Sequence, residues 1–260
     1  MIDPGPSTGY LTVLYVACDQ NRLLMESIAR LPVGQPILIL DVGMVDDARE
    51  LVGSCNATVI RCRWRPIAEQ VLRENWECLP EGWMLRLDPD ESVSGASVGT
   101  LEHLALASNS RVAAFRVPLV NLYRDRPLVG TVWGGVHLHP RVFRRDSVSY
   151  TGIVHDPPTV LGDTLDAPSD CVITHRWVIS RVDMVEKHFR YIRLEREARR
   201  DAQEYSTARA CATVGVRAFG MSFVHRRGFR DGWRGLGLSL FYAGYEFLSN
   251  YVPPGDTLPD

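Results

Sequence analysis

The stretch that decides the fold is WMLRLDPDES, Trp83–Ser92. A run of strand length, apolar except for Arg86, ends abruptly in Asp88, Asp90 and Glu91. Three carboxylates within four residues repel one another, and no basic residue follows immediately to neutralise them. Pro89 restricts the residue before it to extended backbone, which fixes the direction in which Asp88 leaves the strand. An apolar strand that delivers acids at its carboxyl end predicts a site for a cation, or for hydroxyls and amides that carboxylates accept from.

Working outward, the chain before this stretch repeats one pattern. LTVLYVAC (Leu11–Cys18), PILILD (Pro36–Asp41) and ATVIRCRW (Ala57–Trp64) read as strands. NRLLMESIARL, VDDARELVGSC and PIAEQVLRENWECL between them carry apolar residues at helical spacing. The second of these has acids in its first turn and the third opens on proline, both of which suit a helix start. Buried strands without polar alternation, separated by helices, predict a parallel sheet covered on both faces. Such a sheet binds ligands beyond the carboxyl ends of its strands. Those ends here hold Cys18-Asp19-Gln20, Asp41-Val42-Gly43 and Asp88-Pro89-Asp90-Glu91, so three strands bring carboxylates to one edge.

Beyond Thr100 the pattern changes. A helix over Leu101–Ala107 leads to strands in VAAFRVPLVNLY and HLHPRVFRR, then to a Gly/Pro/Asp-rich loop over 152–170. His137 and His139 of HLHP read as positions on alternate faces of a strand rather than as a metal pair. After Trp177 the chain is mainly helical and rich in arginine. The expected division is a catalytic core over 1–175 and a helical region over 176–260. Arg226, Arg227, Arg230 and Arg234 form a basic run suited to phosphate or to an anionic acceptor. The aromatic, apolar segment LGLSLFYAGYEFLSNYV is expected to pack on the core, with peripheral contact at a membrane surface as the second reading.

With 260 residues, 45% of them hydrophobic, and a formal net charge of −2, the chain suits a sizeable core and no nucleic-acid partner. Neither a signal-peptide pattern nor a membrane-spanning run is legible, so the expected location is the cytoplasm, including the inner membrane face. The six cysteines lack a CxxC pair and read as mostly buried thiols. Two rival motifs touch the acid stretch. A calcium loop fails because Val93 and Gly99 stand where glycine and glutamate are required. GASVG (Gly95–Gly99) matches the nucleophile elbow of serine hydrolases, with Asp156 and His175 following in order, but the elbow needs a strand running straight into Ser97.

LTVLYVACDQN, ILILDVGMVDDARELV and WMLRLDPDESVS together resemble the nucleotide-sugar-binding half of a family 2 glycosyltransferase of GT-A fold. Downstream, VFRRDSVSYTGIVHD, ITH and GFRDGWRGL resemble the small lipopolysaccharide-core glucosyltransferase-like branch. The resemblance implies a mixed, mostly parallel sheet flanked by helices, with a helical C-terminal region. It implies a metal-dependent inverting transfer of a sugar from a nucleotide diphosphate, UDP favoured, to a hydroxyl of a saccharide, lipid-linked or natural-product acceptor. Ala17, Asp19, Asp41, Asp46, Arg65 and Asp88 would then bind the donor. Asp90, with Asp88 and His175, would hold Mn²⁺ or Mg²⁺, and Asp156 would act as the base. Met44-Val45 replaces the usual Ser-Thr of that loop, and Asp156 stands where the family has glutamate. Two alternatives remain at this point: a serine hydrolase using Ser97, and a protein that binds nucleotide-sugar without turning it over.

Overall fold

The structure is a computed structural model that describes residues 10–19, 21–44, 50, 52–53, 55–152, 158–178 and 180–253. Four strands form its parallel half: β1 (Thr12–Ala17), β2 (Ile37–Asp41), β3 (Ala57–Arg61) and β4 (Trp83–Leu87). They lie in the order β3-β2-β1-β4, and every pairing among them is parallel. Their carboxyl ends therefore share one edge, as the apolar runs require.

The next strand in space breaks the pattern. The strand β8 (Val136–Arg144) pairs antiparallel with β4, placing Met84 opposite Phe143 and Leu85 opposite Val142. The long strand β6 (Val112–Tyr123) and then β12 (Ile173–Val178) follow, and the two-residue β5 (Glu91–Ser92) closes the order. This is the mixed, mostly parallel sheet flanked by helices expected of a GT-A core. Two short strands attach to β6: β7 (Arg126–Pro127), antiparallel, and β11 (Asp163–Asp166), parallel. A separate ribbon joins β9 (Val148–Ser149) to β10 (Thr159–Val160). The strands β10 and β11 fall in the stretch expected to be loop. Both are too short to carry a pattern of their own, and pairing orders them: β10 with the neighbouring β9, and β11 with the distant β6.

Alternation sorts the core onto two faces. Val13, Tyr15 and Ala17 of β1, with Ile39, Leu85 and Leu87, pack against Leu24 and Ile28 of α1 (Asn21–Ile28) and Val98 and Leu101 of α3 (Gly95–Ala107). Leu14, Leu38, Leu40 and Met84 face the other way, onto Val71 and Leu72 of α2 (Ala68–Asn75). The helix expected over 45–55 lies largely outside the described residues. Helix α3 starts six residues before the expected Leu101, because the Ser94 hydroxyl caps it by accepting from the Ser97 backbone N–H.

By contacts the chain divides into two compact units, Met1–Leu119 with Val136–His175, and Val120–Gly135 with Arg176–Asp260. The second unit is built from α4 (Arg181–Asp201), α5 (Ala208–Phe219) and α6 (Trp233–Asn250), with a π-helical turn (Gly220–His225) and a 3₁₀ turn (Gly228–Asp231) between the last two. Its core gathers Tyr123, Leu128, Trp177, Val178, Met184 and Leu238, with Trp133 stacked on Trp177 at 4.4 Å. Among the described residues no helix is long and apolar enough to cross a membrane. None of the six cysteines forms a disulfide, and only Cys171 and Cys211 are buried, fewer than expected. The others sit at strand ends, in turns and beside the sheet edge, where an apolar core does not enclose them.

Candidate active site at the carboxyl edge of the sheet

Beyond β4 the chain turns on itself. The Glu91 N–H donates to the Asp88 carbonyl at 2.9 Å, and the Asp88 N–H donates to the Glu91 carboxylate at 2.9 Å. The turn is thus tied by main chain and side chain at once. Glu91 is 1% exposed, and the Arg141 guanidinium of β8 bonds its carboxylate directly. Burial raises the Glu91 pKa above the ordinary value for a glutamate, against the opposing pull of Arg141. The tie continues inward: Tyr15 and Ser27 hydroxyls lie 2.8 Å apart, and Ser27 donates to the Glu91 carbonyl.

The cations that offset the acids come from elsewhere in the chain. Arg86, inside the apolar strand, is buried and binds Glu69 of α2 at 2.8 Å and Asp88 at 3.5 Å. Arg141 also lies 3.8 Å from Asp88. The buried Arg86 and the half-buried Arg141, with partners on several elements, hold the turn in one geometry, because releasing a partner would strand a charge in a poorly solvated place.

Asp90 points another way. Its Oδ2 lies 3.2 Å from His175 Nε2. The antiparallel pairing of β12 with β5 sets Thr174 opposite Ser92 and His175 opposite Glu91, which delivers the imidazole to this place. Expected as candidate metal residues, Asp90 and His175 are therefore brought together across 85 positions of sequence. Among the described residues no group of three or more His, Cys, Asp and Glu side chains is arranged to hold a metal ion.

Three of the other expected donor residues, Ala17, Asp19 and Asp41, fall along the same edge. Ala17 ends β1 and is buried, and Asp19 follows it, exposed. Asp41 ends β2, buried, and its Oδ1 accepts from the N–H groups of Gly43 at 2.9 Å and Met44 at 2.8 Å. Gly43 has a φ of +146°, a conformation that disfavours any side chain, which is why glycine stands two residues after that aspartate. The Cys18 thiol is pushed up by burial and by the charges of Asp19 and Asp41, and the Cys62 thiol is pushed to about 11 by burial, Cys78 and Asp41. Arg65 stands apart: it makes a bidentate pair with Glu74, with contacts of 2.8 and 2.9 Å. Asp46 and Asp156 lie outside the described residues.

Three features of the site escaped sequence reading. The first is Arg141. The second is the pair His137 and His139, whose rings stack at 6.1 Å. The strand reading was right and the face assignment was wrong, because side chains two apart on a strand share a face. Partial burial, together with Arg141, His137 and His175 nearby, lowers the His139 pKa to about 4. The third is a pair of buried nitrogens, His137 Nε2 and Arg141 Nε, that have no hydrogen-bond partner among the described residues. The alternation in HLHPR, His137–Arg141, was the available signal for all three.

Among the described residues, Ser97 and His175 are not placed as the hydrolase reading requires. Ser97 lies inside α3, buried, with its hydroxyl 2.8 Å from that of Ser94, and His175 bonds Asp90. A nucleophile elbow would expose the serine at a strand end.

No family model matches the chain, and neither does any curated protein. Solved structures similar to it include Staphylococcus aureus TarS 1-349 in complex with UDP-GlcNAc, at 12% identity and a TM-score of 0.46 over 93% of this chain and 89% of that one. Another is the mannosyltransferase PcManGT from Pyrobaculum calidifontis in complex with GDP-Man and Mn²⁺, at 10% and 0.48 over 92% and 85%. A third is glucosyl-3-phosphoglycerate synthase from Mycobacterium tuberculosis with Mn²⁺, UDP and phosphoglyceric acid, at 13% and 0.39 over 68% and 73%. The likeness is one of chain path alone. Identities and scores this low transfer no chemistry to the residues described above.

Proposed function

We propose that the chain is a metal-dependent glycosyltransferase that moves a sugar from a nucleotide diphosphate, UDP favoured, to a hydroxyl acceptor with inversion. The observation that carries the reading is the Asp88–Glu91 turn, held by Arg86 and Arg141, in which Asp90 meets His175 at 3.2 Å. Two neighbouring ligands on one octahedral divalent ion stand about 3 Å apart when metal–ligand bonds are near 2.1 Å. The residues present fit such an ion as a partial site. Asp90 and His175 would supply two ligands, and the rest would come from substrate phosphate and water, as is usual for ions bound with substrate phosphates. An imidazole in the set favours Mn²⁺ over Mg²⁺.

When bound, the ion stabilises the charge that grows on the departing diphosphate. This chain's own residues do the rest. Asp41 and Asp19 line the neighbouring strand ends, where they can accept from a base or ribose. The buried, unpartnered nitrogens of His137 and Arg141 suit an anionic group. Asp156 is the candidate to take the acceptor proton as the hydroxyl attacks the anomeric carbon. Arg65 would have to release Glu74 to reach a phosphate, so we give it no part.

A partial metal site predicts coupled binding: nucleotide and ion should each bind weakly alone and tightly together. The test is a thermal-shift series with UDP, GDP, dTDP and CDP, each with Mn²⁺ and with chelator, since a ligand of the native state raises its melting temperature. One nucleotide should give a shift that chelator removes and Asp90→Ala removes by at least about tenfold in affinity, about 1.4 kcal/mol. Asp156→Asn should keep that shift and lose sugar transfer. No shift with any nucleotide would sink the reading.

A further inference from the structure

We propose that the turn between α5 and α6 is a docking surface for an anionic lipid bilayer. It is carried by the exposed side chains of Val224, Phe229 and Trp233 and by the arginines interleaved with them. Trp233 is 87% exposed, Val224 63% and Phe229 54%, and Met221 and Val216 extend the same stretch at 46% and 73%. Over Val216–Arg234 the chain carries five arginines (Arg217, Arg226, Arg227, Arg230, Arg234) against one aspartate, in a protein whose overall charge is slightly negative. All five are exposed, and none makes an ion pair among the described residues. The one acid, Asp231, is engaged: its carboxylate accepts from the N–H groups of Val129 at 3.0 Å and Gly130 at 2.7 Å.

These side chains stand on a fixed frame. Asp231 pins the 3₁₀ turn to residues 129–130, and Arg227 enters that turn in the left-handed conformation, with a φ of +58°. Gly228 and Gly235 close the frame, since a Cβ on Gly235 would lie 1.8 Å from the Gly228 carbonyl oxygen. Phe229 packs edge-on against Phe223 at 6.3 Å and is still more than half exposed. A rigid turn that holds aromatic and aliphatic side chains in water is destabilising unless something covers them. Charge complementarity chooses the occupant. Tryptophan and phenylalanine interleaved with unpaired arginines match the headgroup level of a membrane, where rings enter the acyl boundary and guanidinium groups meet phosphate. The surface stands independently of the reading given to the acid turn.

The experiment is flotation of the full chain with vesicles of phosphatidylcholine alone and with 30% phosphatidylglycerol added. Soluble polyphosphate serves as a polyanion without an acyl phase. The wild-type chain should float with the anionic vesicles, far less with the neutral ones, and lose binding as salt rises. An arginine near the surface contributes about fivefold in affinity, so Arg230→Glu with Arg234→Glu should weaken binding by more than about tenfold. Trp233→Ala should weaken it at unchanged melting temperature, and Trp233→Phe should restore most of it. Equal flotation with both vesicle types, flotation with neither, or polyphosphate binding that matches the anionic vesicles and ignores Trp233→Ala would each overturn the proposal.

Discussion

Two clusters of like charge, one acidic and one basic, meet opposite fates in this molecule. The acids of Asp88–Glu91 are drawn inward and answered by Arg86 and Arg141, one two residues upstream and the other some fifty residues on. The arginines of 226–234 stay at the surface and are answered by nothing among the described residues. Both read in the sequence as runs of charge. What separates them is compensation, and compensation is a property of tertiary placement. A buried, answered cluster holds one geometry. An exposed, unanswered one on a rigid turn is a surface waiting for a large partner.

The sharpest way to break this contrast is Arg141→Met. It leaves the Glu91 carboxylate enclosed without its guanidinium, and breaking a buried pair by removing one partner costs about 3–5 kcal/mol. Urea unfolding should show that loss, and Arg141→Met with Glu91→Gln should recover part of it. A loss below about 1 kcal/mol would mean that the acid turn is held by its backbone, and the contrast would lose its first half. Next in size is Gly235→Ala. The added methyl meets the Gly228 carbonyl at 1.8 Å, so the turn or α6 must move. Overpacking of this kind costs about 1–3 kcal/mol. The same variant should lose vesicle binding out of proportion to its stability, because the frame that presents Trp233 is deformed.

The sheet was legible for a simple physical reason. Each of β1, β2 and β4 is a mainly apolar run bounded by helix signals, as burial on both faces demands, whereas β3 at the end of the sheet is half-exposed and keeps only Val59 and Ile60 of that signal. The candidate site was legible only as far as charge marks a strand end: Asp41, Asp88 and Asp90 were expected at such ends, and those ends do share one edge. What compensates them was not. Arg86 looks like an interruption of an apolar strand, and Arg141 belongs to a strand that pairs with β4 from fifty residues away. The two-residue β5, which brings His175 to Asp90, is too short to carry any pattern. Local composition reports burial, whereas partners across long loops depend on topology that no single segment encodes.

A smaller effect tests the imidazoles beside the acid turn. His139 titrates near 6.5 in the unfolded chain and at about 4 in the folded one. Between those values the unfolded chain binds more protons, so this group's contribution to stability falls as pH is lowered from about 6.5 to about 4. Its burial is only partial and solvent screens the effect, so its share of the slope should be slight. His139→Asn should flatten the unfolding free energy over that window and leave it unchanged above pH 7. An NMR titration that places His139 near its ordinary value would remove the cationic neighbours from the account.

The smallest expected effect is the most pointed. Arg230→Glu with Arg234→Glu should shift the unfolding free energy by less than about 0.5 kcal/mol, the range typical of surface changes that touch no buried feature. Neither guanidinium has a partner to lose, and replacing like charges with acids beside Arg226 and Arg227 removes repulsion rather than attraction. Stability measured in urea, side by side with Arg141→Met, then places the two clusters at opposite ends of one scale: a pair the fold depends on, and charges the fold merely tolerates. A loss above about 1 kcal/mol would show that the basic run is answered within the fold after all, and a surface already satisfied has no reason to seek a bilayer.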